Sequence, residues 1–469
     1  MEGNLNRRSF VKGAALSAAG LIAGGALAAC SPAAGTSESK SETAQTTGAN
    51  NAEQRWSFEI APDPIGDDLI TETVETDVVV VGAGGAGLAA AIEAANAGAS
   101  VLLLEKASAV GGDSALSDGI LGGWGTKLAK EQGIDADADD VYRWFTRHPE
   151  WYGPKDPAIA RVLADKSGET IDWLQEMGVP FLKEVGPLFG YTELPVIHHV
   201  DGKGAEMVRV LAETAEKAGV GTLTDTSATK LVADADGRVI GVEAVQKKNP
   251  VRIKANKGVV MATGGFASNV AMRQQYCESD KWPDLGASLH TTNMGRDDGS
   301  GTLMAQEAGA DLVNMDQIQL LHSCCARNGD ADWGLKYSVN TSIFVNKDGE
   351  RFVKEDGRRD ELCLAIFEQP DKFMYIVQSG DTYPNAEELV MNDGVPIAES
   401  IATGDVFVGD SVEDLAAQLS MAPDVLQKTI DEYNAAVDSG DDAFGRALLS
   451  TKLEKGPWYA MNARPLRTS

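Results

Sequence analysis

Basic side chains are scarce in this 469-residue chain: 41 Lys and Arg stand against 70 Asp and Glu, for a formal charge of −29. A surface so acidic repels phosphate backbones, which argues against nucleic acid as a partner. Cysteine is thin as well. Only five are present, and Cys277, Cys324, Cys325 and Cys363 show neither Cys-x-x-Cys nor Cys-x-x-Cys-His spacing. A zinc site, an iron–sulfur run, a c-type haem and a disulfide framework are therefore unsupported. His198 and His199 have no carboxylate at metal spacing, so they read as structural or rim residues and no metal is expected. A long apolar run is missing too: the weakly apolar stretch from Gly13 to Ala29 is too short and too glycine-rich for a stable membrane span. What is present is ordinary for a globular protein. With 43% apolar and 24% charged residues, the chain can fill two or three domains with a large core.

The N-terminus belongs to targeting rather than to fold. Arg7-Arg8 precede Ser9-Phe10-Val11-Lys12 and then the Gly/Ala-rich run, so residues 1–29 resemble a twin-arginine export signal. Leu27-Ala28-Ala29-Cys30 closes it and resembles a lipobox, in which Cys30 becomes the lipidated first residue; plain Ala-x-Ala-type cleavage is the alternative. Residues 30–71 read as a flexible tether, because Ser31 to Gln54 offers almost nothing large and apolar to pack. An extracytoplasmic protein follows, touching the membrane only through a lipid at Cys30.

The first chemistry lies beyond Thr76. Val78-Val79-Val80-Val81 suits a strand buried on both faces, and the alanine-rich segment from Leu88 suits a helix packed close upon it. Between them stands Gly82-Ala83-Gly84-Gly85-Ala86-Gly87. In Gly-x-Gly-x-x-Gly the first glycine makes a tight turn, the second admits a pyrophosphate to the backbone, and the third lets helix and strand touch. The anion then rests on unpaired N–H groups at the helix start. A second strand, Val101-Leu102-Leu103-Leu104, ends in Glu105, eighteen residues after Gly87, where a carboxylate accepts from ribose hydroxyls. A dinucleotide is expected.

Further on come Gly111-Gly112-Asp113-Ser114 through Gly119, and then Gly258 to Phe266 with Ala262-Thr263-Gly264-Gly265. These segments resemble the flavoprotein subunits of fumarate reductases and succinate dehydrogenases, a family that includes exported reductases and 3-ketosteroid dehydrogenases. The resemblance runs from Val74 to Ser469 and implies FAD as cofactor. It implies an α/β fold, with a Rossmann-like FAD-binding domain over residues 72–316 and an inserted α+β capping domain over 317–456. To the cofactor it assigns Gly82, Gly84, Gly85, Ala86, Gly87, Glu105, Lys106, Gly112, Asp113, Ser114, Gly119, Ala262, Thr263, Gly264 and Asp298. Ser300 matches the family's aspartate as well as Asp298 does. Local patterns agree: Lys230–Val232 and Val239–Val245 around Asp236-Gly237 read as a hairpin, and VEDLAAQL and APDVLQKTIDEYNAAVDSG as helices.

A knot of charge, Glu355-Asp356-Gly357-Arg358-Arg359-Asp360, follows the strand and turn VNKDGERF. By composition alone it reads as a solvated helix start. The family, however, carries Asn-x-x-Gly-x-Arg-Phe-x-x-Glu and then Arg-Asp here, matched by Asn346, Gly349, Arg351, Phe352, Glu355, Arg359 and Asp360. The resemblance makes Arg359 the catalytic arginine, as proton donor and charge stabiliser, and puts His322, Glu355 and Asp360 at the substrate. Reducing an electron-poor C=C bond needs a hydride, a proton and positive charge where enolate-like density collects. Guanidinium is almost never deprotonated at rest, so a relay must serve it. The positions of the family's relay pair hold Leu335 and Ser338, which argues against fumarate itself; Glu355, Asp356, Lys336 and Tyr337 are open substitutes. Residues 457–469 match the start of the strand that returns from cap to FAD domain, and the family pattern continues beyond Ser469. The expected function is an FAD-dependent reductase of a small organic acceptor, with electrons from a separate membrane or cytochrome-type donor. The alternatives are a ketosteroid-type dehydrogenase and a non-catalytic flavoprotein remnant.

Overall fold

The computed structural model describes residues 63–147, 157–188, 191–279, 282–327, 329–330, 333–335, 338–386, 389–391 and 394–467. The signal, Cys30, most of the tether, Lys336 and Tyr337 lie outside the described residues.

The nucleotide half is built on a six-stranded sheet. Strands β1 (Glu72–Val81) and β2 (Val101–Leu104) are separated by helix α1 (Gly85–Asn96) and run parallel, with Val78 opposite Val101. A right-handed strand–helix–strand crossover gives this pairing. Residues Gly112–Leu116 form a short helix, α2. The chain then makes a small antiparallel sheet of β3 (Ile120–Gly122), β4 (Phe181–Leu188) and β5 (Tyr191–Val200), with helix α3 (Pro157–Glu176) between the first two. There His198 is buried, its Nε2 2.8 Å from Thr126 Oγ1 and its Nδ1 3.1 Å from the carbonyl of Val196. Helix α4 (Lys203–Lys217) returns the chain to the main sheet, to which β6 (Gly221–Leu223), β7 (Thr226–Ala233), β8 (Val239–Gln246) and β9 (Asn249–Met261) are added. The order is β6-β2-β1-β9-β8-β7. The β8–β9 turn uses Lys247 and Lys248, both at positive φ, the geometry that matches strand twist in a two-residue hairpin. Leu88, Ala91 and Ile92 of α1 pack against Val208 and Leu211 of α4 over Val80 and Leu103, one apolar layer between sheet and helices.

The second half has its own sheet. Strands β10 (Leu320–Cys325), β11 (Ile343–Val345), β12 (Met374–Ser379), β13 (Val406–Gly409) and β14 (Trp458–Arg467) join with β14 at the centre. β14 pairs antiparallel with β12, β13 and β10. Residues 458–467 are therefore the central strand of this sheet. Alternation along the strands splits the cap core in two. Helix α5 (Ser300–Glu307) belongs to the first half. Ile343, Val345, Val377, Trp458 and Ala460 meet helices α7 (Val412–Leu419) and α8 (Pro423–Ser439), while Phe344, Ile376, Tyr459 and Met461 meet Leu362 and Ile366 of helix α6 (Arg359–Phe367). A further apolar cluster joins the halves: Phe266, Met272 and Trp282 from one side touch Leu320 and Cys363 from the other.

Candidate active site

A cavity of about 510 Å³ opens at the carboxyl ends of β1, β2 and β9, where open α/β sheets bind their ligands. It is lined by Gly82, Gly84, Gly85, Ala86, Glu105, Lys106, Gly112, Asp113, Ser114, Ala262, Thr263 and Gly264, so twelve of the fifteen cofactor residues named from sequence converge on one space. Local constraints explain the geometry. Gly82 sits at φ +98, and a Cβ there would come within 2.2 Å of the Ala262 carbonyl. Gly84 caps α1 without a side-chain bond, leaving the helix start open to an anion. The Glu105 carboxylate is fixed from both sides, accepting from the amides of Ala83 at 3.0 Å and Ala107 at 2.8 Å. The Gly85 amide donates to Ser114 Oγ at 3.0 Å.

Three of the fifteen sit elsewhere. Gly87 faces β1, where a Cβ would lie 1.8 Å from the Gly82 carbonyl; it lets helix and strand touch instead of lining the cavity. Gly119 packs its backbone on Lys203 and Gly204. Asp298 pairs with Lys106 at 3.1 Å and accepts from the Ser300 amide at 3.0 Å, without lining the cavity itself. Ser300, Arg296 and Asp297 line it in its place. Asp297 and Arg296 were missed because two adjacent aspartates before a glycine do not show which faces inward.

At the cap, the charged knot resolves into two parts. Glu355 is fully buried, bound by Arg351 at 2.7 and 2.8 Å, by Arg446 at 3.1 Å and by the Phe344 amide at 3.1 Å. Asp442 completes the group by pairing with Arg351 at 2.6 Å. Placing Glu355 at the substrate is thus corrected: both its oxygens are saturated inside the cap core. The other part sits at the head of α6. Arg358 caps the helix and is tied to Asp360, with Nε 3.0 Å from Oδ1, so Asp360 braces its neighbour. Arg359 is exposed and makes no ion pair or hydrogen bond with any described residue. Its charge is felt inward. His322, buried on β10 with its ring centroid 5.6 Å from that of Phe344, is held down to about pKa 3, first by desolvation and then by Arg359. The Cys363 thiol, one turn along α6, is pushed well up by burial, with Cys324 and Asp360 adding to the shift and Arg359 opposing it. The structure therefore packs α6, headed by Arg359, against β10, which carries His322. Leu335, at a relay position, is buried among apolar cap side chains and carries no proton.

Comparison with known proteins decides the family. The FAD binding domain profile matches residues 77–467. The chain belongs to this family. FAD is its cofactor, and the glycine floor, open helix start and fixed carboxylate of the cavity fit such a group. A probable fumarate reductase of Shewanella frigidimarina, Ifc3, is 31% identical over 396 residues, covering 83% of this chain and 64% of that protein. The urocanate reductase of Eggerthella lenta is 31% identical over 405 residues, covering 84% and 64%. In both cases the chain spans less than two thirds of the relative. The open conformation of a flavocytochrome c3 fumarate reductase superposes with a TM-score of 0.68 at 28% identity, over 88% of this chain and 72% of that one. Among the described residues no helix of this flavoprotein is long and apolar enough to cross a membrane.

Proposed function

We propose that this flavoprotein reduces the electron-poor C=C bond of a small organic acceptor, an unsaturated acid or enone, as the names of its relatives suggest. One observation carries the reading: among Arg351, Arg358, Arg359 and Arg446, only Arg359 lacks a partner among the described residues. A cation at a helix start is unfavourable to the dipole, so nothing local rewards leaving it bare. Together with the α6 amides it forms a positive corner suited to a carboxylate or a polarised carbonyl. His322 beside it is neutral and serves as a hydrogen-bonding group rather than an acid. Reduced FAD would supply the hydride when bound; Arg359 stabilises the negative charge that builds on the conjugated oxygen and gives the second carbon its proton, which solvent then replaces on the guanidine. The apolar cluster joining the halves helps to exclude water from that charge.

The test is direct. Purified full-length protein should carry a flavin spectrum and reoxidise a reduced viologen dye with at least one member of a panel of unsaturated acids and enones. A flavin-loaded protein inert to the whole panel removes the reductase reading. A separate membrane or cytochrome-type protein is the proposed donor, and export with a lipid at Cys30 the proposed location. Mass analysis of the mature N-terminal peptide should show diacylglycerol on Cys30; an unmodified or uncleaved N-terminus rejects the anchor.

A further inference from the structure

Two carboxyl groups face each other inside the FAD cavity without a cation between them. Asp113, on α2, has both oxygens filled: Oδ1 accepts from the Met294 amide at 2.6 Å, and Oδ2 from Asn293 Nδ2 at 3.0 Å. The same Nδ2 donates its second hydrogen to Asp297 Oδ2 at 3.1 Å. The two carboxylates are therefore bridged by one neutral amide, their Oδ2 atoms no more than about 6 Å apart, twice one hydrogen-bond length. Neither makes an ion pair among the described residues. The cations nearest in the cavity wall are otherwise engaged, Lys106 with Asp298 and the Arg296 carbonyl, and Arg296 with the Lys106 carbonyl at 3.5 Å.

Asp297 is held in place from every side. Its own amide donates to Met294, its carbonyl accepts from Ser268 at 2.9 Å, its Oδ2 accepts from the Ala267 amide at 3.0 Å, and the Gly265 amide also points at the carboxyl. Its Oδ1 lies 3.3 Å from where a Cβ on Gly264 would stand, against the glycine turn that lines the cavity. Facing it are Asp113 from α2, Asn293 from its own loop and the amides of residues 265 and 267; none is cationic. The cavity that Asp297 lines must accept a cofactor with two phosphate charges. A second carboxylate in its wall opposes that charge, whereas a carboxylic acid offers a hydrogen bond.

We propose that Asp297 meets FAD as a carboxylic acid, so that holding the cofactor takes up a proton. Burial, opposed by the Ala267 and Gly265 amides and Asn293 and aided by Asp113, raises the Asp297 carboxyl above its ordinary value in the cofactor-free protein. The direction follows from linkage: the acid form binds more tightly, so affinity is constant below the pKa of the cofactor-free protein and weakens by up to about tenfold per pH unit above it, until the bound-state pKa is passed.

This rests on FAD as the cofactor, and the experiment separates the two. Flavin-loaded full-length protein is diluted between about pH 5 and 8, and released FAD is followed by its fluorescence. The inference expects release to grow with pH in the natural protein and to become flat in Asp297→Asn, whose amide imitates the neutral acid and keeps an oxygen for Ala267. Titration calorimetry of FAD into the deflavinated natural chain, in two buffers of different ionisation enthalpy, should show net proton uptake and needs no variant to fold. Release independent of pH, an unchanged slope in Asp297→Asn, or no proton uptake overturns the inference while leaving FAD binding intact. A protein that never carries flavin overturns both.

Discussion

Glu355→Ala should destabilise the cap by about 3–5 kcal/mol, the effect of taking one partner out of a buried ionic group. Arg351 and Arg446 both point at Glu355 from inside the core, and Arg446 is almost completely buried. Their guanidinium groups lie 5.4 and 4.8 Å from the Tyr433 ring centroid, and Arg351 is also 5.0 Å from that of Phe444. With Asp442, two cations face two anions in a sealed space; removing Glu355 leaves one cation uncompensated and strips the Phe344 amide of its acceptor. Glu355→Gln keeps that acceptor but not the charge, and should fall between the two. An exposed pair serves as control: Lys127→Ala, which breaks contact with Glu176, should leave the unfolding midpoint where it is. Urea unfolding of flavin-loaded protein reads all three. A Glu355→Ala midpoint equal to that of the natural protein would sink the argument.

Much of the nucleotide half was legible because its signals are local. Four valines, a glycine spacing, an alanine-rich helix and a strand ending in Glu105 lie within one stretch of chain, and each dictates its neighbour's geometry. The cap is different. WYAMNARPLR reads as a strand, but its place at the centre of the sheet depends on pairing with β12, β13 and β10, from segments between about fifty and one hundred and fifty residues upstream. The same distance hid the role of Glu355. Its partner Arg351 is four residues away, yet Arg446 and Asp442 come from beyond α8, and only they turn a run of charge into a buried cluster. Asp297 and Asp298 show the limit at close range. One lines the cofactor cavity and the other braces Lys106, a choice made by Asn293 and Met294 folding back over α2 rather than by either aspartate's neighbours.

Arg359→Ala should lower kcat on the accepted substrate by about 10²–10³-fold or more, as removal of one preorganised donor to a developing oxyanion does, with the flavin spectrum unchanged. Arg359 touches neither the cavity lining nor any described partner, so loss of its side chain should not loosen FAD or unfold the cap. Arg359→Lys restores the charge as a compact point without the planar fork, and should recover part of the rate. The adjacent arginine supplies the internal comparison. Arg358 is held by the part-exposed Asp360, and its backbone amide rather than its side chain makes the cap bond to Glu361, so Arg358→Ala should cost little stability and leave most of the turnover. Because His322 owes part of its depressed pKa to Arg359, and more to burial, the imidazole should also become easier to protonate in Arg359→Ala, rising from about 3, a shift visible by NMR of the ring protons. Should Arg358→Ala abolish turnover while Arg359→Ala keeps it, the two arginines exchange roles and the positive corner at the head of α6 belongs to the wrong residue.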